Sequence, residues 1–143
     1  MSIEPTVVLS RLKFISDYLQ ELRRFRGMSL EDYLSSFDQK TISERIMELI
    51  AQSAIDINEH ILTRDKNIQP LSNKDSFVKA GQYGIITPAL ATDLALSAGL
   101  RNILAHRYLE INYVELFNGI QAALNQYPLY IQQITEYLSS RSK

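Results

Sequence analysis

Residues 101–108 read Arg-Asn-Ile-Leu-Ala-His-Arg-Tyr and form the one local constellation in this chain suited to reaction chemistry. Arg101 precedes His106 by five residues, Asn102 follows the arginine, and Tyr108 stands two beyond the histidine. An imidazole is the side chain that exchanges protons near neutral pH, so it can take one from an attacking hydroxyl. A guanidinium adds a fixed charge in a planar fork matched to phosphate oxygens and to the more negative phosphorane. Together they suit cleavage of a phosphodiester by a neighbouring 2′-hydroxyl, with Asn102 orienting the imidazole or donating to a phosphate oxygen. With nine arginines in the chain, a histidine five residues beyond one of them arises by chance with a probability of roughly 0.2. Asn at +1 and Tyr at +7 lower that to on the order of 10⁻³. The extended pattern is specific, whereas its two-residue core also fits a capping histidine beside a surface arginine.

Other chemistries have little to stand on. There are no cysteines, which removes disulfides and thiolate metal sites and fits a reducing, cytoplasmic setting. The two histidines, His60 and His106, lie far apart, with no H-x-x-x-H and no carboxylate-rich loop. No metal or cofactor is called for, and there is no Gly-rich phosphate loop or G-x-S-x-G elbow. The opening residues carry no basic leader, and no apolar run approaches the ~18 residues of a membrane span. A net charge of −1 gives no global attraction for nucleic acid, so RNA would need a local basic patch or an assembly.

The elements that must position the motif are helical throughout. Only five glycines and four prolines occur, and strand-like alternation is nearly absent. Val8, Leu12, Ile15, Leu19 and Leu22 predict a first helix from about Thr6 to Phe25, ended by Gly27. A short helix follows Ser29. A long one begins near Asp38, with Ile42, Ile46, Leu49, Ile50, Ala54, Ile57 and Ile61 in one stripe. Ser72 and Asp75 have capping spacing for a short helix reaching about Tyr83. Thr87-Pro88 opens the helix that carries the motif to roughly Arg107. Asn112 and Glu115 cap a last helix, which Pro128 is expected to kink or break, leaving a final piece from Leu129 to Leu138. Four long helices with short ones between them, in one domain spanning 1–143, predict an all-α bundle.

Helix geometry sets a problem for the motif. At about 100° per residue Asn102 and His106 share a face, while Arg101 sits about 140° from His106 and shares the other face with Tyr108. Either the helix unwinds near His106, or the arginine wraps round, or two copies combine. Ala95, Gly99 and Asn102 form a small-residue face that would admit a second helix, or simply fit this one into its own bundle. Asp56 borders the apolar stripe of the long helix and is a candidate partner for Arg101, or a solvated edge residue. His60 lies on that stripe and reads as structural. The basic run Leu22–Arg26 could track an RNA backbone, but reads more simply as a solvated helix end. Arg107, inside the motif, is the better supporting candidate for an RNA contact.

From about Arg45 to Asn118 the sequence resembles the HepT-like branch of the HEPN superfamily. The resemblance lies in E-R-I-M-E-L-I-A-Q-S-A-I-D-I-N-E-H-I-L at 44–62, F-V-K-A-G-Q-Y-G-I-I-T at 77–87 and G-L-R-N-I-L-A-H-R-Y-L-E-I-N at 99–112. Every position of the family pattern R-x-x-x-x-H-x-Y, with a polar residue after the arginine, is met. The resemblance implies an all-helical HEPN bundle that forms a homodimer, or a larger hetero-oligomer, with two motifs lining one composite cleft. It implies a metal-independent ribonuclease toxin of a type II/VII-like pair, with transfer RNA the preferred substrate and messenger RNA second. It further implies an MntA-type nucleotidyltransferase antitoxin that transfers AMP onto the motif tyrosine, here Tyr108. Bulk and negative charge there would compete for Arg101 and repel a substrate backbone. A different function class stays open: a non-catalytic helical scaffold that binds a nucleotidyltransferase or a nucleotide.

Overall fold

The computed structural model describes residues 2–141 and is helical, with no strand among them. Six α-helices follow in order: α1 (Pro5–Leu22), α2 (Leu30–Ser35), α3 (Phe37–Asp65), α4 (Asn73–Gln82), α5 (Pro88–His106) and α6 (Tyr113–Arg141). Four are long and two short, as the periodicity predicts. The residues buried on α1 are Val8, Leu12, Ile15, Leu19 and Leu22, the five positions of the expected stripe. Each such side chain is worth about 1.5–3 kcal/mol on leaving water. A 3₁₀ turn, Arg23–Phe25, closes the element, and the chain then turns at Gly27 with φ +87°. A side chain would be strained there, which is why glycine marks the boundary.

Helix α3 is the axis of the bundle and packs on each of the other five. Its core is broader than one stripe. Met47, Ile55 and Leu62 are buried along with Ile46, Ile50, Ala54, Ile57 and Ile61, while Ile42 and Leu49 sit at the margin. A helix covered on several sides needs apolar groups on several faces, which single-face periodicity does not register. His60 is half-buried on α3, and its Nε2 accepts the Glu4 backbone N–H at 3.0 Å, satisfying a donor at the start of α1. Burial, with the nearby Arg64 charge, holds its imidazole below the ordinary pKa.

Helix α6 is not broken at Pro128, and the piece expected from Leu129 to Leu138 is part of one helix. It runs unbroken from Tyr113 to Arg141 with the proline inside. Proline has no N–H for the carbonyl four residues earlier, here that of Leu124. Arg26 reaches across from beyond α1 and donates its Nη2 to this Leu124 oxygen at 3.4 Å. With Tyr127, Tyr130 and Ile134 buried beside the proline, packing and this replacement donor hold the helix together. The basic run is thus partly structural, since Arg24 also pairs with Glu21 at 2.9 Å.

Candidate active site

The caps that define α5 sit where the sequence places them. Thr87 Oγ1 accepts the Leu90 N–H at 3.3 Å, Pro88 occupies the first turn, and the Thr87 N–H is tied to Gln133 Oε1 of α6 at 2.8 Å. Leu90, Ala91, Leu94, Ala95, Ala98 and Leu104 are buried, so α5 is gripped along its length. Ser97 Oγ meets the Tyr127 hydroxyl at 2.8 Å and sets its register against α6. On the other side α4 lies very close. A Cβ on Gly81 would stand 2.5 Å from that of Ala91, so only glycine permits this approach.

Helix α5 ends at His106, and Arg107 leaves it with φ −130° and ψ 46°. That ending resolves the geometric problem within one chain. Arg101 is half-buried, its side chain wraps round the last turn, and its Nη1 comes to 3.5 Å from His106 Nε2. The same Nη1 reaches Asn102 Oδ1 at 3.3 Å. A guanidinium only donates, so in this contact His106 Nε2 is the acceptor. His106 itself is exposed. Among the described residues Arg101 has no carboxylate partner, and its buried Nε has no acceptor. A cation left uncompensated beside an exposed imidazole is arranged to receive an anion.

The remaining candidates divide. Tyr108 lies beyond the helix, on the 3₁₀ turn Tyr108–Glu110, so it does not share a helical face with Arg101; its side chain is 66% exposed. Arg107 is exposed and pairs with Glu110 at 3.5 Å. Asp56 is not the partner of Arg101. It faces α1, where Arg11 comes to 3.9 Å, and it accepts from Gln52 one turn earlier on α3 at 2.8 Å; the lateral register of α1 on α3 brings a nearer cation. The small-residue face also splits. Ala95 is buried in the bundle, Asn102 turns to α4, and Gly99 opens onto free space. Gly99 belongs to an apolar groove of about 410 Å³ between α5 and α6, lined also by Leu96, Leu100, Ile103, Gly119 and Ala122.

One contributor carried no signal of chemistry in the sequence. Asn73, the first residue of α4, donates its Nδ2 to Asn102 Oδ1 at 3.0 Å. Only the capping spacing of Ser72 and Asp75 marks the place. Ser72 Oγ accepts the Asp75 N–H at 3.0 Å, and Asp75 accepts from the Leu71 N–H at 2.8 Å and from Lys79 at 2.7 Å. The Lys79 and backbone donors hold the Asp75 carboxyl below its ordinary pKa. Among the described residues no three His, Cys, Asp or Glu side chains gather as metal ligands would, and no helix is long and apolar enough to cross a membrane.

The family model described as Ribonuclease HepT-like matches residues 15–134, and the chain belongs to that family. It is 48% identical over 137 residues to the tRNA nuclease HepT of Aphanizomenon flos-aquae (strain 2012/KM1/D3), covering 96% of this chain and 93% of the relative. The mRNA nuclease HepT of Shewanella oneidensis is 32% identical over 88 residues, 62% of this chain and 66% of the relative. A solved structure of a tri-AMPylated Shewanella oneidensis HEPN toxin in complex with MNT antitoxin has the same fold. Its TM-score is 0.81 at 24% identity, over 91% of this chain and 97% of that one.

Proposed function

We propose that this chain is a metal-independent endoribonuclease toxin, cutting RNA with Arg101, Asn102 and His106. The observation that carries the reading is the 3.5 Å approach of Arg101 Nη1 to His106 Nε2, with no carboxylate among the described residues neutralising the arginine. When the substrate phosphate draws the Arg101 guanidinium onto its own oxygens, the His106 Nε2 lone pair is freed and takes the proton of the 2′-hydroxyl as O2′ attacks phosphorus. Arg101 and Asn102 hold the negative charge on the non-bridging oxygens. The P–O5′ bond breaks, and O5′ leaves with a proton from an imidazolium. The products are a 2′,3′-cyclic phosphate and a 5′-hydroxyl.

In-line displacement puts attacking and leaving oxygens on opposite sides of phosphorus, so one imidazole serves only one of them at a time. A second copy supplies the other. The apolar α5–α6 groove supports that arrangement, with Leu96 75% exposed and Gly99 open. His106 lies two turns beyond Gly99 on nearly the same face. Transfer RNA is the preferred substrate, since the relative at 48% identity is a tRNA nuclease, with messenger RNA second.

Control falls to an MntA-type nucleotidyltransferase antitoxin that moves AMP from ATP to Tyr108: the phenolic oxygen attacks the α-phosphorus, the α–β anhydride bond breaks, pyrophosphate leaves, and the phenolic proton passes to a base. The exposure of Tyr108 supports this reading, as does the AMPylated state of the toxin of similar fold. The test is expression of the chain alone, with sequencing of RNA ends. Wild type should produce new ends in tRNA and His106→Ala none; identical end profiles would refute the assignment.

A further inference from the structure

Asn102 makes two contacts through one atom. Its Oδ1 receives Arg101 Nη1 at 3.3 Å and Asn73 Nδ2 at 3.0 Å. A guanidinium has no acceptor, so the Asn102 atom facing it must be the oxygen, and Asn73 must then present its N–H. The two donors lock the amide in one sense. Asn102 Nδ2 is left without a partner among the described residues, beside a guanidinium whose Nε also lacks one.

We infer that Asn73 is a positioning residue, holding Asn102 Oδ1 against Arg101 and reserving Asn102 Nδ2 for a phosphate oxygen of the substrate. This rests on the ribonuclease reading above. The support under Asn73 is built for such a role. The Ser72–Asp75 cap and the Lys79 contact fix the first turn of α4, and the Gly81–Ala91 approach fixes its far end against α5. Buried Phe77 and Ala80 pack the helix between these points, so its docking does not depend on the Asn73 amide. What the amide adds is direction. It ties the start of α4 to Asn102, which with His106 is one of two side chains of α5 that touch Arg101. Without it Asn102 has a single weak tether, and the guanidinium loses its fixed bearing on His106.

The experiment compares Asn73→Ser, whose hydroxyl is too short to reach Asn102, with Asn102→Ala and the double variant. Serine is tolerated at a helix start, and Asn73→Asp, which suits the N-terminal dipole but offers Asn102 only acceptors, is the second variant if Asn73→Ser folds poorly. Each single change should lower kcat on tRNA by about tenfold or more with little change in KM and in melting temperature. The double variant should be no worse than Asn102→Ala, because Asn73 acts only through Asn102. Full activity in Asn73→Ser, or losses that multiply, overturns the inference. A second reading needs no RNA: the ¹H–¹⁵N resonance of the buried Arg101 Nε–H should shift and lose protection in Asn73→Ser. An unchanged resonance refutes the positioning role, whereas a wild-type chain that cuts no RNA refutes the functional reading alone.

Discussion

Arg101 and His106 are five residues apart, on opposite sides of an ideal helix, yet Arg101 Nη1 stands 3.5 Å from His106 Nε2. The approach depends on two local facts. The helix stops at His106, and the arginine stem has the length to pass over Asn102. The guanidinium that results is held by Asn102 and His106, with no carboxylate against it among the described residues.

That arrangement costs stability, because Arg101 Nε is buried without an acceptor among the described residues. Arg101→Met keeps the apolar stem and removes the orphan donor and the charge. It should be as stable as wild type, or more stable by about 1 kcal/mol, and should not cut RNA. Thermal melts beside a cleavage assay check both halves, and an active or strongly destabilised variant would contradict the assigned role.

In the proposed mechanism Tyr108 separates catalysis from control. Tyr108 is 66% exposed, and Tyr108→Phe removes its hydroxyl while keeping the ring. RNA cleavage should fall by less than about tenfold, the equivalent of one ordinary hydrogen bond. Intact mass after co-expression with the nucleotidyltransferase should show added AMP on wild type and none on Tyr108→Phe. An unmodified wild-type chain that is nevertheless inhibited would point to steric neutralisation.

The Pro128 helix gives a test independent of function. Pro128→Ala restores an N–H for the Leu124 carbonyl and should stabilise the chain by about 1 kcal/mol or more. Arg26→Ala should cost about 1 kcal/mol in the natural chain by stranding that carbonyl, and less when combined with Pro128→Ala. Strictly additive effects in urea unfolding would show that Arg26 is not the replacement donor.

His60 sets a pH dependence. Its imidazole is held below the ordinary value, chiefly by burial, while accepting the Glu4 N–H. The unfolded chain therefore binds this proton first as pH falls, so stability is full above about pH 6.5 and declines below it, until the folded-state pKa is passed. Chemical denaturation between pH 7.5 and 5 should show the decline in wild type and a smaller one in His60→Gln. Equal slopes would remove His60 from the account.

Much of this architecture is written locally. Ser29, Ser72, Thr87 and Asn112 each accept the backbone N–H that their spacing predicts, and five apolar residues define the buried face of α1. What escapes the sequence is set by tertiary register. Arg26 rescues a carbonyl far along the chain, and Arg11 rather than Arg101 meets Asp56. Asn73 reaches the motif only because Gly81 lets α4 lie against α5. For the motif itself, residue types and spacing suggest the chemistry proposed above. The route by which Arg101 finds His106 follows from where the helix ends, which spacing leaves open.

The central claim is that Arg101 and His106 cut RNA by 2′-hydroxyl attack without a metal, and the termini of the cleaved RNA test it most directly. Purified chain is incubated with tRNA in excess EDTA and the fragments are weighed by mass spectrometry. The account predicts undiminished cleavage, 2′,3′-cyclic phosphate and 5′-hydroxyl ends, and no fragments from His106→Ala. Cleavage abolished by EDTA and restored by Mg²⁺, or fragments bearing 5′-phosphate and 3′-hydroxyl ends, would contradict it.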